Sequence, residues 1–346
     1  TLEEVTIGIT GLNAVDNPAP GVGVARSLKE DSGIRYKIVG LSYDAMEPGN
    51  YLDALIEKSY IIPYPSSSCE AFIERLLYIK KNCGLDFLLP TLDSELPFFI
   101  KYCEELAANG IKTFLPTSEQ FKLRGKDHLE NVAERIGISS PRMEVVNSYE
   151  ALEAALENTG LPAMVKGALY GARLARTFAE AAGHFHAIAS EWGVPIIIQQ
   201  VIAGEEMNVV GVGDGEGGSL GFVGIKKLSK TSLGKIWTGV TIHNEKMLAA
   251  ADRFLKEFEW KSAFELECMM SAGEVFLIEI NPRFPSWSYF ATGVGINLPA
   301  NMVRKALGLA LLDNNSYEAG KLYIRYTYEL ISDMAPYQKM IMLGEK

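Results

Sequence analysis

Glu267, Glu279, Asn281 and Arg283 are the residues whose types and spacing point most directly to chemistry. Residues 264–283 read as an antiparallel hairpin turning at 271–274. Strand alternation puts Phe264, Leu266, Cys268, Phe276, Ile278 and Ile280 on one face, and Glu265, Glu267, Glu279, Asn281 and Arg283 on the other. With the turn centred on Gly273, Glu267 lies opposite Glu279, with Cβ atoms roughly 4.5–5.5 Å apart. Two carboxylates at that distance repel unless a cation sits between them. Magnesium fits, because it takes oxygen ligands and often one or two carboxylates plus nucleotide phosphates. Asn281 adds a neutral oxygen, and Arg283 a planar donor for phosphate or carboxylate. Glu265 alone reads as a solvated residue of a half-exposed hairpin.

A second set of residues suits a nucleotide. Residues 161–166 form a strand ending in Lys166, followed by a small-residue loop through Gly167 and Gly171 to Arg173. A lysine at such a strand end can hold a phosphate while loop amides add donors. An ordinary loop with a solvated lysine has the same sequence. Residues 196–202 form a near-continuous apolar strand that runs into Ala203, Gly204, Glu205 and Glu206. An extended segment there can offer backbone groups to an adenine edge, and a glutamate just after it can reach ribose hydroxyls. Taken alone, it reads first as a buried strand and a turn. Thr91 to Glu95 follow a strand end, where α/β sheets bind ligands. They serve as well to cap the helix that starts near Leu96.

The elements that must position these residues are legible in outline. Residues 1–115 alternate strands (5–10, 36–41, 85–90, 111–115) with helices (22–29, 72–82, 96–109), which implies a parallel sheet with helices on its faces. Helices follow at 126–136, 148–157, 178–192, 248–258 and 297–309. Strands are expected at 161–166, 195–201, 207–212, 220–228 and 321–329, besides the hairpin. With 346 residues, 48% of them hydrophobic, the chain is long enough for two or three packed units.

Composition excludes several classes. The chain has 33 Lys+Arg against 43 Asp+Glu, a net charge of -10, which argues against a nucleic-acid binder needing a basic stripe. No run reaches the ~18 apolar residues of a membrane span. Cys69, Cys83, Cys103 and Cys268 form no CxxC pair and read as free thiols of a reducing cytosol. His184 and His186 would point to different helix faces and make no metal pair. Gly11 to Gly23 lacks the G-x-G-x-x-G pattern, so a nicotinamide dinucleotide site there ranks behind a structural turn or a substrate loop.

In order along the chain, these pieces resemble the ATP-grasp superfamily. Lys126-Asp127 precedes a helix and then Gly137-Ile138-Ser139-Ser140-Pro141; Val165-Lys166 and the loop to Gly171 follow. Gln199-Gln200-Val201-Ile202-Ala203-Gly204-Glu205-Glu206 comes next, and Glu267 through Glu279-Ile280-Asn281-Pro282-Arg283-Phe284 last. The Glu-to-Glu interval is similar to that of biotin carboxylases, and Ile236-Trp237-Thr238-Gly239 sits where carbamoyl-phosphate synthetases carry a similar stretch. The sequence departs from the family pattern in three places. Gln199 stands where a Glu is usual, Leu169 and Tyr170 make the phosphate loop poor in glycine, and Trp237 replaces a polar residue, away from bicarbonate or carbamate chemistry.

The resemblance covers nearly the whole chain. It implies an α/β and α+β fold: a Rossmann-like pre-ATP-grasp domain (1–115), then a two-lobed ATP-grasp fold with a small lobe (116–200) and a C-terminal lobe (201–346). It implies ATP and one or two Mg2+, or Mn2+ in their place. Lys126, Lys166 and Gly171 would meet the phosphates; Gln199, Gln200 and the backbone of Val201 and Ile202 the adenine; and Glu206 the ribose. Glu267, Glu279 and Asn281 would hold the metal, and Arg283 the transferred phosphoryl group or acyl phosphate, which with Asn281 makes them the catalytic pair. The implied protein is a cytoplasmic ligase acting on a small carboxylate and an amine, with room for a homodimer and no nucleic-acid or membrane partner. A nucleotide-binding regulatory module without catalysis is the alternative; a dehydrogenase with a nicotinamide cofactor is the third reading.

Overall fold

The computed structural model describes residues 3–14, 18–168, 170–313 and 316–346. Residues 15–17, inside the Gly11–Gly23 stretch, and Leu169, inside the phosphate loop, lie outside that description. The chain divides into two compact units. The first takes residues 1–121, 208–266 and 281–346, and the second 122–207 and 267–280.

Four strands of the first unit, β1 (Glu3–Ile9), β2 (Ile34–Ser42), β3 (Lys58–Ile61) and β4 (Phe87–Leu89), form a sheet ordered β3-β2-β1-β4. The β1–β2, β2–β3 and β1–β4 pairs are all parallel. Val5, Ile7 and Ile9 of β1 are buried, as expected of a central parallel strand covered on both faces. The chain builds outward from β1 to β3 and then returns to the other side of β1. The crevice beyond the ends of β1 and β4 is therefore the topological switch point, where open α/β sheets bind ligands. One sequence expectation changes here. Residues 111–115 form no strand but a single bridge, Phe87 to Lys112, and the fourth strand is Lys58–Ile61.

The second unit carries an antiparallel sheet of β5 (Met143–Val146), β6 (Ala163–Gly167), β7 (Ala172–Ala175) and β8 (Ile196–Gln200), ordered β5-β8-β6-β7. In β6 Ala163 and Val165 are buried and Met164 and Lys166 are not, so the period-2 rule turns Lys166 away from the core. The helix Phe178–Trp192 is N-capped by the Thr177 hydroxyl, which accepts from the Glu180 amide. It packs Phe185 and Ile188 into the same core as Val165 and Ile198. The helix Leu129–Ile136 buries Leu129, Val132, Ala133 and Ile136, a 3.6-period stripe, and stops at left-handed Gly137.

The third sheet is ordered β13-β12-β9-β10-β11-β14: β9 (Glu205–Asp214), β10 (Ser219–Lys230), β11 (Ile236–Ile242), β12 (Lys261–Ser271), β13 (Glu274–Asn281) and β14 (Leu322–Ile324). The late strand is thus three residues long rather than the expected nine. Between β12 and β13 the turn is Ala272-Gly273, both with positive φ (50° and 80°), as a two-residue hairpin turn requires. Such a turn pairs Ser271 with Glu274, which alone would put Glu265 across from Ile280. Asn281 donates Nδ2 to Glu265 Oε1 at 2.9 Å, a side-chain bond between the two strands. Burial shifts phase at the same place. Val275, Leu277 and then Ile280 are buried, while Phe276 and Ile278, expected in the core, are only half-buried.

Candidate nucleotide and metal site

In the second unit Lys126, Lys166, Glu267 and Glu279 converge electrostatically. Burial is the main force pushing the Lys166 ammonium pKa down, opposed by the negative charges of Glu279 and then Glu267. The Lys126 ammonium is pushed down to about 8, first by burial and then by the like charge of Lys166, with Glu279 pulling the other way. Two desolvated ammonium groups that repel one another are held near two carboxylates. Lys126 also donates Nζ to the Gly167 carbonyl at 2.6 Å, tying the start of its helix to the phosphate loop.

That loop closes on itself through Gly167 N–H to the Gly171 carbonyl, 3.0 Å. A Cβ on Gly167 would sit 2.1 Å from the Tyr170 carbonyl oxygen, so only glycine allows the turn. Tyr170 packs its ring 5.1 Å from that of Trp192. The loop is therefore anchored at both ends despite holding few glycines.

The segment expected to face adenine shows one feature that the sequence does not. Gln199 is buried and its backbone lies in the sheet, opposite Met143 and Met164. The Gln200 side-chain oxygen accepts from the Arg142 amide at 3.1 Å, which gives Gln200 a structural bond. Past the strand, Val201 and Ile202 make no backbone hydrogen bond among the described residues, leaving their N–H and C=O groups available. Glu206 is half-buried at the start of β9.

In the first unit, Glu265 is not the solvated residue that alternation suggests. It is buried, and its carboxylate accepts from Asn208 Nδ2 (2.8 Å), Asn281 Nδ2 (2.9 Å) and Trp287 Nε1 (2.6 Å). The bond to Asn281 fixes which way that amide points and leaves Oδ1 as the atom it can offer a metal. A hairpin pattern cannot distinguish a solvated Glu from one satisfied by three tertiary donors. The only hint is Asn208, a polar residue inside the apolar run Met207 to Val212.

Arg283 forms an ion pair with Asp93, Nε to Oδ1 at 3.2 Å, and a long hydrogen bond from Nη2 to Oδ2 at 3.4 Å. Two further cations gather on this side of the unit. Lys235 is pushed down to about 8, first by burial and then by the positive charges of Arg283 and Arg325. Arg325 donates Nη2 to the Ser286 carbonyl (3.1 Å) and lies over the Tyr323 ring (5.4 Å to the centroid), while its Nε is buried without a hydrogen-bond partner. Sequence reasoning missed Lys235 and Arg325, and it offered Asp93 only as part of the strand-end segment Thr91 to Glu95, without its link to Arg283. No motif marks them, and only tertiary packing brings them to Arg283.

Among the described residues no three His, Cys, Asp or Glu side chains gather as a metal cluster. The second unit carries two of the expected ligands, the carboxylates of Glu267 and Glu279, while Asn281 belongs to the first unit. That pair suits a magnesium ion whose remaining ligands are phosphate oxygens and water. No helix among the described residues is long and apolar enough to cross a membrane.

The parallel-sheet domain leading into lysine-bearing and carboxylate-bearing antiparallel sheets gives the chain the fold of the solved ATP-binding enzymes named below. Residues 193–328 match the family described as ATP-grasp in the biosynthetic pathway with Ter operon. The chain superposes on N5-carboxyaminoimidazole ribonucleotide synthetase in its ADP complex, with a TM-score of 0.69, 17% identity, and 92% of this chain and 81% of that one covered. It superposes similarly on the Campylobacter jejuni biotin carboxylase–β,γ-ATP complex, with a TM-score of 0.70, 18% identity, and coverage of 92% and 74%. A third match is the biotin carboxylase domain of Hydrogenobacter thermophilus 2-oxoglutarate carboxylase, crystallised with MgADP, ADP and bicarbonate: TM-score 0.67, 16% identity, coverage 92% and 73%. In sequence, 201 residues are 26% identical to acetyl-CoA carboxylase of Dictyostelium discoideum, spanning 54% of this chain and 9% of that protein.

Proposed function

We propose that the chain is an ATP- and Mg-dependent ligase that activates a small carboxylate as an acyl phosphate and passes the acyl group to an amine, releasing ADP and phosphate. The observation that carries this reading is the pair of desolvated, mutually repelling lysines, Lys126 and Lys166, held with Glu267 and Glu279. Two desolvated ammonium groups side by side call for a polyanionic ligand, and the neighbouring carboxylates call for a divalent cation to accompany it. Mg-ATP satisfies both.

In this mechanism Lys126, Lys166 and the Gly167–Gly171 turn bind the phosphates. Val201 and Ile202 present backbone groups to adenine beside Gln199 and Gln200, and Glu206 meets the ribose. Glu267 and Glu279 would hold Mg2+, which supplies charge neutralisation of the phosphates when bound. A carboxylate oxygen of the substrate attacks the γ-phosphorus, the β,γ-bridging P–O bond breaks, and ADP leaves. The amine then attacks the acyl carbon, the C–O bond to phosphate breaks, phosphate departs, and the nitrogen gives up a proton. Arg283, with Lys235 and Arg325 on the same side, stabilises the oxyanion of the transferred group. The buried, unbonded Arg325 Nε supplies a donor for it. The chemistry needs positioning and charge neutralisation rather than a nucleophilic side chain.

Glu279→Ala should abolish Mg-dependent ADP release while leaving the thermal melt and circular dichroism of the parent. Undiminished ADP release by that variant would refute the assignment. An ADP-release screen across amino acids and small carboxylates, with mass spectrometry of the product, identifies the substrates. Tight ATP binding with no ADP formed in any carboxylate–amine mixture would point instead to a regulatory nucleotide-binding module.

A further inference from the structure

Glu95 is a buried acid that stands outside the proposed ATP and metal ligands. It is 1% exposed at the switch point of the parallel sheet. Its carboxylate accepts from three strand ends at once: the Thr10 hydroxyl after β1, the Tyr43 hydroxyl after β2, and the amides of Thr91 and Leu92 after β4, both at 3.3 Å. Thr10 and Thr91 lock the same corner, with Thr91 N–H to Thr10 Oγ1 at 2.9 Å and Thr91 Oγ1 to the Thr10 carbonyl at 3.0 Å. Gly11 completes it, since a Cβ there would lie 2.0 Å from Thr91 Oγ1.

A helix needs no such carboxylate to begin, and burying one is costly unless every lone pair is used. What the arrangement fixes is the turn that carries Asp93. Asp93 lies two residues before the anchor and holds Arg283 at 3.2 Å. Arg283 follows the last residue of β13 by two positions, outside any strand or helix, so no regular element sets its direction.

We propose that Glu95 is a positioning residue for Arg283, acting through Asp93: it pins the 91–95 turn to the ends of β1 and β2 so that Asp93 holds the guanidinium in one orientation. This rests on the reading of Arg283 as the contact for the transferred group. Glu95 touches no substrate in this scheme. Its removal should misdirect Arg283 without altering how nucleotide binds in the second unit.

The test has two arms. In the first, phenylglyoxal labelling of Arg283 is followed by peptide mass spectrometry, with exposed Arg35 as the internal standard. It needs no turnover. In the second, kcat and KM for ATP are measured by ADP release. Asp93→Asn and Glu95→Ala should each raise Arg283 labelling by about fivefold and lower kcat by about tenfold with KM for ATP unchanged, as expected for a misplaced transition-state contact. The double variant should be no worse than Asp93→Asn alone, because the two act in series. Glu95→Gln, which keeps an acceptor oxygen for the turn amides, should restore most of the effect. Unchanged labelling and kcat in Glu95→Ala, or effects that multiply in the double variant, would overturn the proposal. Should Glu95→Ala fail to fold, Glu95→Asp, which draws the carboxylate back from Tyr43, is judged by the same two criteria. A parent protein that releases no ADP with any substrate would refute the ligase reading, and the labelling arm would still decide the role of Glu95.

Discussion

If Lys126 and Lys166 are waiting for phosphate, ATP binding must take up protons. Lys126 titrates near pH 8 in the free protein because it is buried and sits beside Lys166. A bound triphosphate reverses both effects, since it supplies negative charge at the ammonium group, and the pKa climbs back toward the usual lysine value near 10.5. At pH 8 about half of the Lys126 side chains are neutral before binding and nearly all are charged after it, so uptake is about 0.5 proton from this group alone. At pH 9 the figure rises to about 0.9, and at pH 7 it falls to about 0.1. Lys166, whose pKa is also lowered, adds in the same direction. Affinity should therefore decline as pH rises above 8, by up to about tenfold per unit for one group. Calorimetric titration with a non-hydrolysable ATP analogue and Mg2+, run in two buffers of different ionisation enthalpy, reads the proton count directly. Lys126→Arg keeps the charge but cannot titrate, so it should remove about 0.5 proton of uptake at pH 8. Uptake near zero at pH 8 to 9, or an unchanged slope in Lys126→Arg, would refute the convergence of these lysines on a phosphate site.

Two further outcomes test the packing around the sites. The Glu95 carboxyl is raised by burial to about 7 from 4.5, so in the folded state it holds its proton where the unfolded chain would release it. The associated stability is fully present below pH 4.5 and is lost as pH rises through 7. It amounts to about 3 kcal/mol, so denaturant melts of Glu95→Gln should vary less with pH between 4.5 and 8 than those of the parent; parallel pH profiles would contradict this. Gly204→Ala would bring a Cβ within 2.0 Å of the Met270 carbonyl oxygen, just after the adenine segment. It should cost about 1–3 kcal/mol and weaken ATP binding, and a parent-like melt and affinity would show that the contact yields easily.

How much of this was readable in the sequence depends on whether a residue's role is local. Lys166 at a strand end and the turn at Ala272-Gly273 are local patterns, and both formed where expected. The strand Lys58–Ile61 was hidden because its four residues run directly into a proline-rich segment, Ile62 to Pro65. Residues 111–115 have the apolar look of a strand but find only one bridge to Phe87. Glu265 shows the limit of alternation: its position is polar, yet its environment is set by Asn208 and Trp287, far away in the chain. Lys235, Arg325 and Asp93 carry no motif. Their relation to Arg283 exists only once the chain has folded.

The second unit is built from two separate stretches, residues 122–207 and 267–280, with 208–266 belonging to the other unit. During synthesis, at roughly 5–20 residues per second, Lys126 and Lys166 emerge well before the carboxylates they depend on. Until Glu267 and Glu279 arrive, the nascent sheet holds two crowded ammonium groups with no acidic counterpart from the hairpin. The last stretch of the unit to be made therefore brings the carboxylates proposed to hold the metal, along with the strands that complete the unit. A nascent chain stalled before residue 267 should lack both the stability and the metal-dependent chemistry of the finished one.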